Sequence, residues 1–196
     1  MTTLGRAQLE SALSALGELL AARGLHHELV LIGGGNLILR ELINRPTTKD
    51  LDVLGEKTPE GVIRIEPMPA GLRDAIVDVG GAYGLAPDWL NLGPDSLLDF
   101  GLPDGFLERL ERRDFGGLVI WLAGSFDMVC FKLYAAVDQG LRSRHYRDLL
   151  ELETGRDDLL KAARWSISHD PSPGFRSLLA ATLRELGIED ADAALG

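Results

Sequence analysis

Asp50 and Asp52, separated by Leu51 and followed by Val53, are the residues of this 196-residue chain whose spacing most plainly invites chemistry. On an extended segment a period of two turns both carboxylates to one face, about 7 Å apart along the chain. Neighbouring anions repel, and a divalent cation such as Mg²⁺, which binds through one or two carboxylates together with substrate phosphates, relieves that repulsion. The exposed face of an edge strand, with Leu51 and Val53 on its other side, has the same alternation. Upstream lies a second feature, Gly33-Gly34-Gly35 at the end of an apolar run. Glycines let a backbone approach a phosphate closely, and a helix that follows offers unpaired N–H groups and the positive end of its dipole. A tight turn would use the same residues.

The elements that would have to position these groups follow from periodicity. Leu9, Leu13, Leu16, Leu19 and Leu20 form one helical stripe over 6–23, closed by Gly24. Glu28–Ile32 reads as a strand, the three glycines as a turn, 36–43 as a helix and Asp50–Leu54 as a second strand. A third strand is expected over 62–66, a helix over 70–83, a loop rich in Pro, Gly and Asp over 87–105, a buried strand over 117–123 and a helix over 126–139. Helices over 143–153, 156–168 and 173–187 are separated by Gly155 and Asp170-Pro-Ser-Pro-Gly174. Strands before residue 124 and helices after it predict an α+β fold, a small mixed sheet with flanking helices and a C-terminal helical lobe. The chain reads as a single domain, with a core over about 1–135, a helical lobe over about 140–188 and a frayed acidic tail over 189–196.

Composition narrows the partners. With 20 Lys and Arg against 30 Asp and Glu, the formal net charge is −10, which argues against a broad basic footprint for duplex DNA or an anionic membrane. A local basic pocket for a phosphate remains compatible with it, as does one patch built from Arg142, Arg144, Arg147 and Lys161. No apolar run is long enough to span a bilayer and no secretory leader is evident, so a cytoplasmic location is expected. The lone cysteine, Cys130, excludes an internal disulfide and reads as a small buried hydrophobe. His26, His27, His145 and His169 are scattered too widely to suggest a histidine metal centre. Trp89, Trp121 and Trp165 read as packing residues, and Ser125 and Asp127 as the cap of a helix.

Glycines, helix and acidic strand in that order permit two nucleotide readings. In a dinucleotide-binding βαβ unit Gly33-x-Gly35 would open the helix, but the third fingerprint position is Ile38 and the second acidic residue has no task. The other reading comes from resemblance. Leu31-Ile-Gly-Gly-Gly-Asn36 followed by Arg45-Pro-Thr-Thr-Lys-Asp-Leu-Asp-Val53 resembles the nucleotidyltransferase superfamily, and in particular the toxin-type nucleotidyltransferases of the AbiEii and DUF6036 kind with their Arg-x-Thr-x-Asp-x-Asp signature. Arg45 stands one residue further from Thr48 than in that signature. Asp88-Trp-Leu-Asn91, Lys132-Leu-Tyr-Ala135 and Arg147-Asp-Leu149 are similar to further tracts of these families, in family order.

The resemblance implies a nucleotidyltransferase-like core that uses Mg²⁺ or Mn²⁺ and a nucleoside triphosphate to move a nucleoside monophosphate onto an RNA or protein acceptor. It implies metal ligation by Asp50 and Asp52, contacts from Gly33, Gly34 and Thr48 to the nucleotide, a phosphate-binding charge at Lys132, and a third anion, Asp148, that orients Lys132 or the acceptor. Lys132 would then stand close to the glycine turn. Glu66 is the alternative third carboxylate. Bland roles exist beside these: Lys132 as a snorkelling surface lysine, and Asp148 as the partner of Arg144 one turn earlier. The resemblance further permits a toxin held in check by an antitoxin or regulatory partner. The rival from another class is a catalytically inactive nucleotide-binding or protein-interaction module of the same fold.

Overall fold

The computed structural model describes residues 3–195. It groups them into two compact units, which divide between Gly124 and Ser125. The fold is α+β, as expected, with a mixed six-stranded sheet in the first unit and helices alone in the second.

In the first unit, α1 (Arg6–Ala22) buries Leu9, Leu13, Leu16 and Leu20 completely and packs on α3 (Ala70–Tyr83) and on the sheet. β1 (His27–Ile32) holds four consecutive buried residues, Leu29 to Ile32, the pattern of a strand covered on both faces. It is accordingly central: the order is β3-β2-β1-β6-β5, with β2 at Leu51–Thr58, β3 at Gly61–Ile63, β5 at Glu111–Asp114 and β6 at Leu118–Leu122. β1 runs parallel to β6 and antiparallel to β2, and the two-residue β4 (Leu90–Asn91) adds to β2 in parallel. The β1–β2 register slips once, pairing Val30 with Gly55 but Leu31 with Val53, so Leu54 is an extra residue on β2.

Three sequence expectations are corrected here, and one element is added. The glycines are not a turn before a helix: α2 (Gly33–Leu39) begins at Gly33 and ends four residues before Ile43, where the expected helix was to end. Gly33 has φ +75°, which lets the strand pass into the helix with no linker, a conformation costly for any side-chain-bearing residue. The third strand stops at Ile63, leaving Glu66 exposed beyond it. The loop over 87–105 contains β4 and the one-turn helix α4 (Leu97–Phe100). The charged run Glu111-Arg-Arg-Asp114 forms an edge strand that no periodicity announced.

The second unit is α5 (Ser125–Gln139), α6 (Arg144–Glu151), α7 (Arg156–His169), α8 (Pro173–Glu185) and α9 (Ala191–Leu195). α5 packs on α6, α7 and α8. Ser143 and Ser172 cap α6 and α8 by accepting from the backbone N–H groups of Tyr146 and Phe175, each at 3.2 Å. Phe131, Tyr134, Trp165 and Phe175 meet in edge-on and tilted contacts between α5, α7 and α8. No helix among the described residues is long and apolar enough to cross a membrane.

Candidate functional site

Asp50 ends the loop that leads into β2, and Asp52 is the second residue of that strand. Leu51 between them is fully buried, and both aspartates are half-buried. Three contacts fix the backbone that carries the carboxylates. The Leu51 N–H donates to the Trp89 carbonyl at 2.6 Å, the Asn91 side chain donates to the Leu51 carbonyl at 3.4 Å, and the Thr48 hydroxyl donates to the Asp50 carbonyl at 3.2 Å. Thr48 is itself anchored by a two-way backbone bridge to Leu4, at 2.7 and 2.9 Å. Trp89, fully buried with its indole N–H on the Ile76 carbonyl at 3.0 Å, ties this support to α3. It is a packing residue, as its sequence context indicated.

The three glycines form the floor beneath this segment. A methyl group on Gly33 would overlap the Asp52 carboxylate. One on Gly34 would overlap the Arg45 guanidinium and stand 3.4 Å from the Thr48 hydroxyl. One on Gly35 would overlap the Leu51 side chain and lie 3.2 Å from the Asp50 carbonyl oxygen. The missing side chains thus make room for residues 45–52 of the chain itself. At the other side of α2, Asn36 and Arg40 both donate to the Ala123 carbonyl, at 3.2 and 2.7 Å, and hold the helix to the end of β6. Gly33, Gly34, Thr48, Asp50 and Asp52 are therefore gathered in one place in the first unit.

Lys132 and Asp148 belong to the second unit, on α5 and α6. Their charged atoms lie 2.6 Å apart, with side chains only 5% and 2% exposed, so Lys132 is not a snorkelling surface residue. Around α5, Cys130 is fully buried, as expected, and so is Asp127 in the first helical turn. Of the expected basic patch, Arg142, Arg144, Arg147 and Lys161 are exposed, and Lys161 is engaged by Asp158 at 3.1 Å.

Among the described residues no group of three or more His, Cys, Asp or Glu side chains gathers as a metal site. The donor set at Asp50 and Asp52 fits Mg²⁺ in its usual mode, one or two carboxylates with the remaining positions left to phosphate and water. Sequence reasoning missed Arg45 and Asn91 as parts of this site. Both lie in tracts that carried the family resemblance, but nothing in their spacing revealed which groups they would touch.

Residues 7–151 match the family described as a nucleotidyltransferase of unknown function, DUF6036. The chain belongs to that family. No curated protein and no solved structure matches it significantly.

Proposed function

We propose, with that family membership as premise, that the protein transfers a nucleoside monophosphate from a nucleoside triphosphate to a hydroxyl of an RNA or protein acceptor. The acceptor oxygen bonds to the α-phosphorus, the bond from that phosphorus to the bridging oxygen breaks, pyrophosphate leaves, and the acceptor proton passes to water. The observation that carries this reading is the seating of the Asp52 carboxylate over Gly33, with Asp50 two residues before it on a backbone held by Trp89, Asn91 and Thr48. Rigidly placed anions of this kind are useful when a charged ligand arrives, since no reorganisation is then needed.

Asp50 and Asp52 would hold Mg²⁺ or Mn²⁺, which supplies neutralisation of the charge that develops on the phosphoryl oxygens. Because the protein contributes two carboxylates, the ion is expected to enter with the triphosphate. Gly33 and Gly34 would offer backbone N–H groups to the outer phosphates and Thr48 a hydroxyl beside them. A toxin role under the control of an antitoxin or other regulatory partner is the biological setting in which we place this activity.

Incubating the protein with each labelled ribonucleoside triphosphate, Mg²⁺ and cell extract tests the proposal. Label covalently attached to RNA or to protein is the expected result and names the donor base and the acceptor together. Binding without transfer would identify the non-catalytic module instead.

A further inference from the structure

The proposed function gives Arg45 no task, yet its guanidinium stands directly over Gly34, at the residue next to the one that seats Asp52. Consecutive Cα atoms are about 3.8 Å apart. A carboxylate and a guanidinium therefore stand over two consecutive residues at the start of α2, with the Thr48 hydroxyl also close to Gly34. Helix α2 has only seven residues, so its dipole is a weak source of positive potential and a side-chain cation must supply most of it. Arg40, the residue after α2, stands at the far end of that helix, where it donates to the Ala123 carbonyl at 2.7 Å and lies 3.4 Å from Glu111.

We infer that Arg45 binds the phosphates of the incoming triphosphate, and that Gly34 lacks a side chain in order to seat its guanidinium. The inference rests on the nucleotidyltransferase reading and adds a residue and a reason to it. A phosphate held through a metal on Asp50 and Asp52 meets a guanidinium over the adjacent glycine. A planar guanidinium can give two parallel N–H donors to one phosphate, which a lysine cannot. Half-buried, Arg45 loses less hydration on binding than an exposed cation and keeps its orientation.

The test is a thermodynamic cycle on the full-length protein. The four ribonucleoside triphosphates are titrated with Mg²⁺ by calorimetry, and the tightest is compared with its diphosphate and monophosphate. Arg45→Ala should weaken triphosphate binding about ten- to a hundred-fold, the scale of a lost hydrogen bond to a charged group. Monophosphate binding should suffer less, and Arg45→Lys should recover only part of the loss. Gly34→Ala should weaken binding similarly in the wild type but add little once Arg45 is alanine, because the seat no longer matters. A Gly34→Ala effect of equal size in both backgrounds would show that the space over the glycine serves something other than the guanidinium, and would overturn the inference. So would Arg45→Ala binding like wild type while Asp52→Asn abolishes binding, an outcome that leaves the nucleotidyltransferase reading intact. A wild type that binds none of the four triphosphates removes that reading, and the role of Arg45 with it.

Discussion

The two charged constellations of this protein are built on opposite principles. In the first unit, Asp50 and Asp52 are half-buried and come from one short stretch, with their support in backbone contacts and in glycines that make room for them. In the second, Lys132 and Asp148 face each other at 2.6 Å from two helices and are almost wholly excluded from water. A half-exposed group of charges, here two carboxylates with the Arg45 guanidinium over the neighbouring glycine, stays open to a charged ligand. An enclosed pair of opposite charges has already spent most of its energy on itself and on offsetting its own desolvation. Substitutions at the first should therefore be read in ligand binding, and at the second in folding.

The largest effect is expected at the enclosed pair. Lys132→Ala or Asp148→Ala leaves a buried charge without its partner and should destabilise the protein by about 3–5 kcal/mol in urea unfolding. The double variant Lys132→Met/Asp148→Leu should regain most of that stability, since apolar side chains of similar volume carry no such penalty. If the single variants unfold like wild type, the contrast between the two constellations collapses.

Gly33→Ala comes next. It forces a side chain into positive φ and against the Asp52 carboxylate, and should cost about 1–3 kcal/mol while also weakening the response to Mg²⁺ and triphosphate. Asp52→Asn should change stability by no more than about 1 kcal/mol, as the loss of one charge from an isosteric side chain at a half-exposed site would. The same variant should lose the thermal shift that Mg²⁺ and triphosphate give the wild type. A large loss of stability with ligand response retained would make Asp52 a structural residue.

The smallest effect belongs to His169, whose imidazole packs on the Trp165 ring at 4.2 Å between centroids. Burial there holds its pKa below the usual 6.5, because the charged form loses hydration. The unfolded chain then takes up the proton first. The stability linked to His169 is whole above pH 6.5 and declines as pH falls from there towards the lower native value. An NMR titration of its ring protons checks this, and a midpoint at or above 6.5 would show that the second unit does not exclude water there.

Much of this architecture is legible in the chain, for reasons that differ from element to element. α1 and α3 declare themselves through apolar stripes, and β1 and β6 through short runs that have no exposed position to interrupt them. β5 is opaque because all four of its residues are charged, and only its pairing with β6 makes it a strand. α2 is obscured because three glycines are poor helix formers, and its first turn is set by what packs over it. The acidic pair is readable from spacing alone. The contact between Lys132 and Asp148 joins two helices, so no local pattern contains it, and resemblance to a family was the one route to both residues. Arg45 had a place in that resemblance but no role, since what it touches depends on how its loop folds back over Gly34.

The extra residue on β2 decides the sign of a charge. In an unbroken strand Leu54 and Glu56 would share the face of Asp52, and a further carboxylate would join that side of the sheet. The slip at Leu54 moves the alternation by one place, so Gly55 and Lys57 share that face instead. Glu56 is turned away and meets His27 at 3.2 Å, while the Lys57 ammonium lies 5.8 Å from the centre of the Trp121 ring. A single residue of phase thus exchanges an anion for a cation on the sheet face that carries Asp52, and deleting Leu54 would reverse the exchange without altering any charged residue.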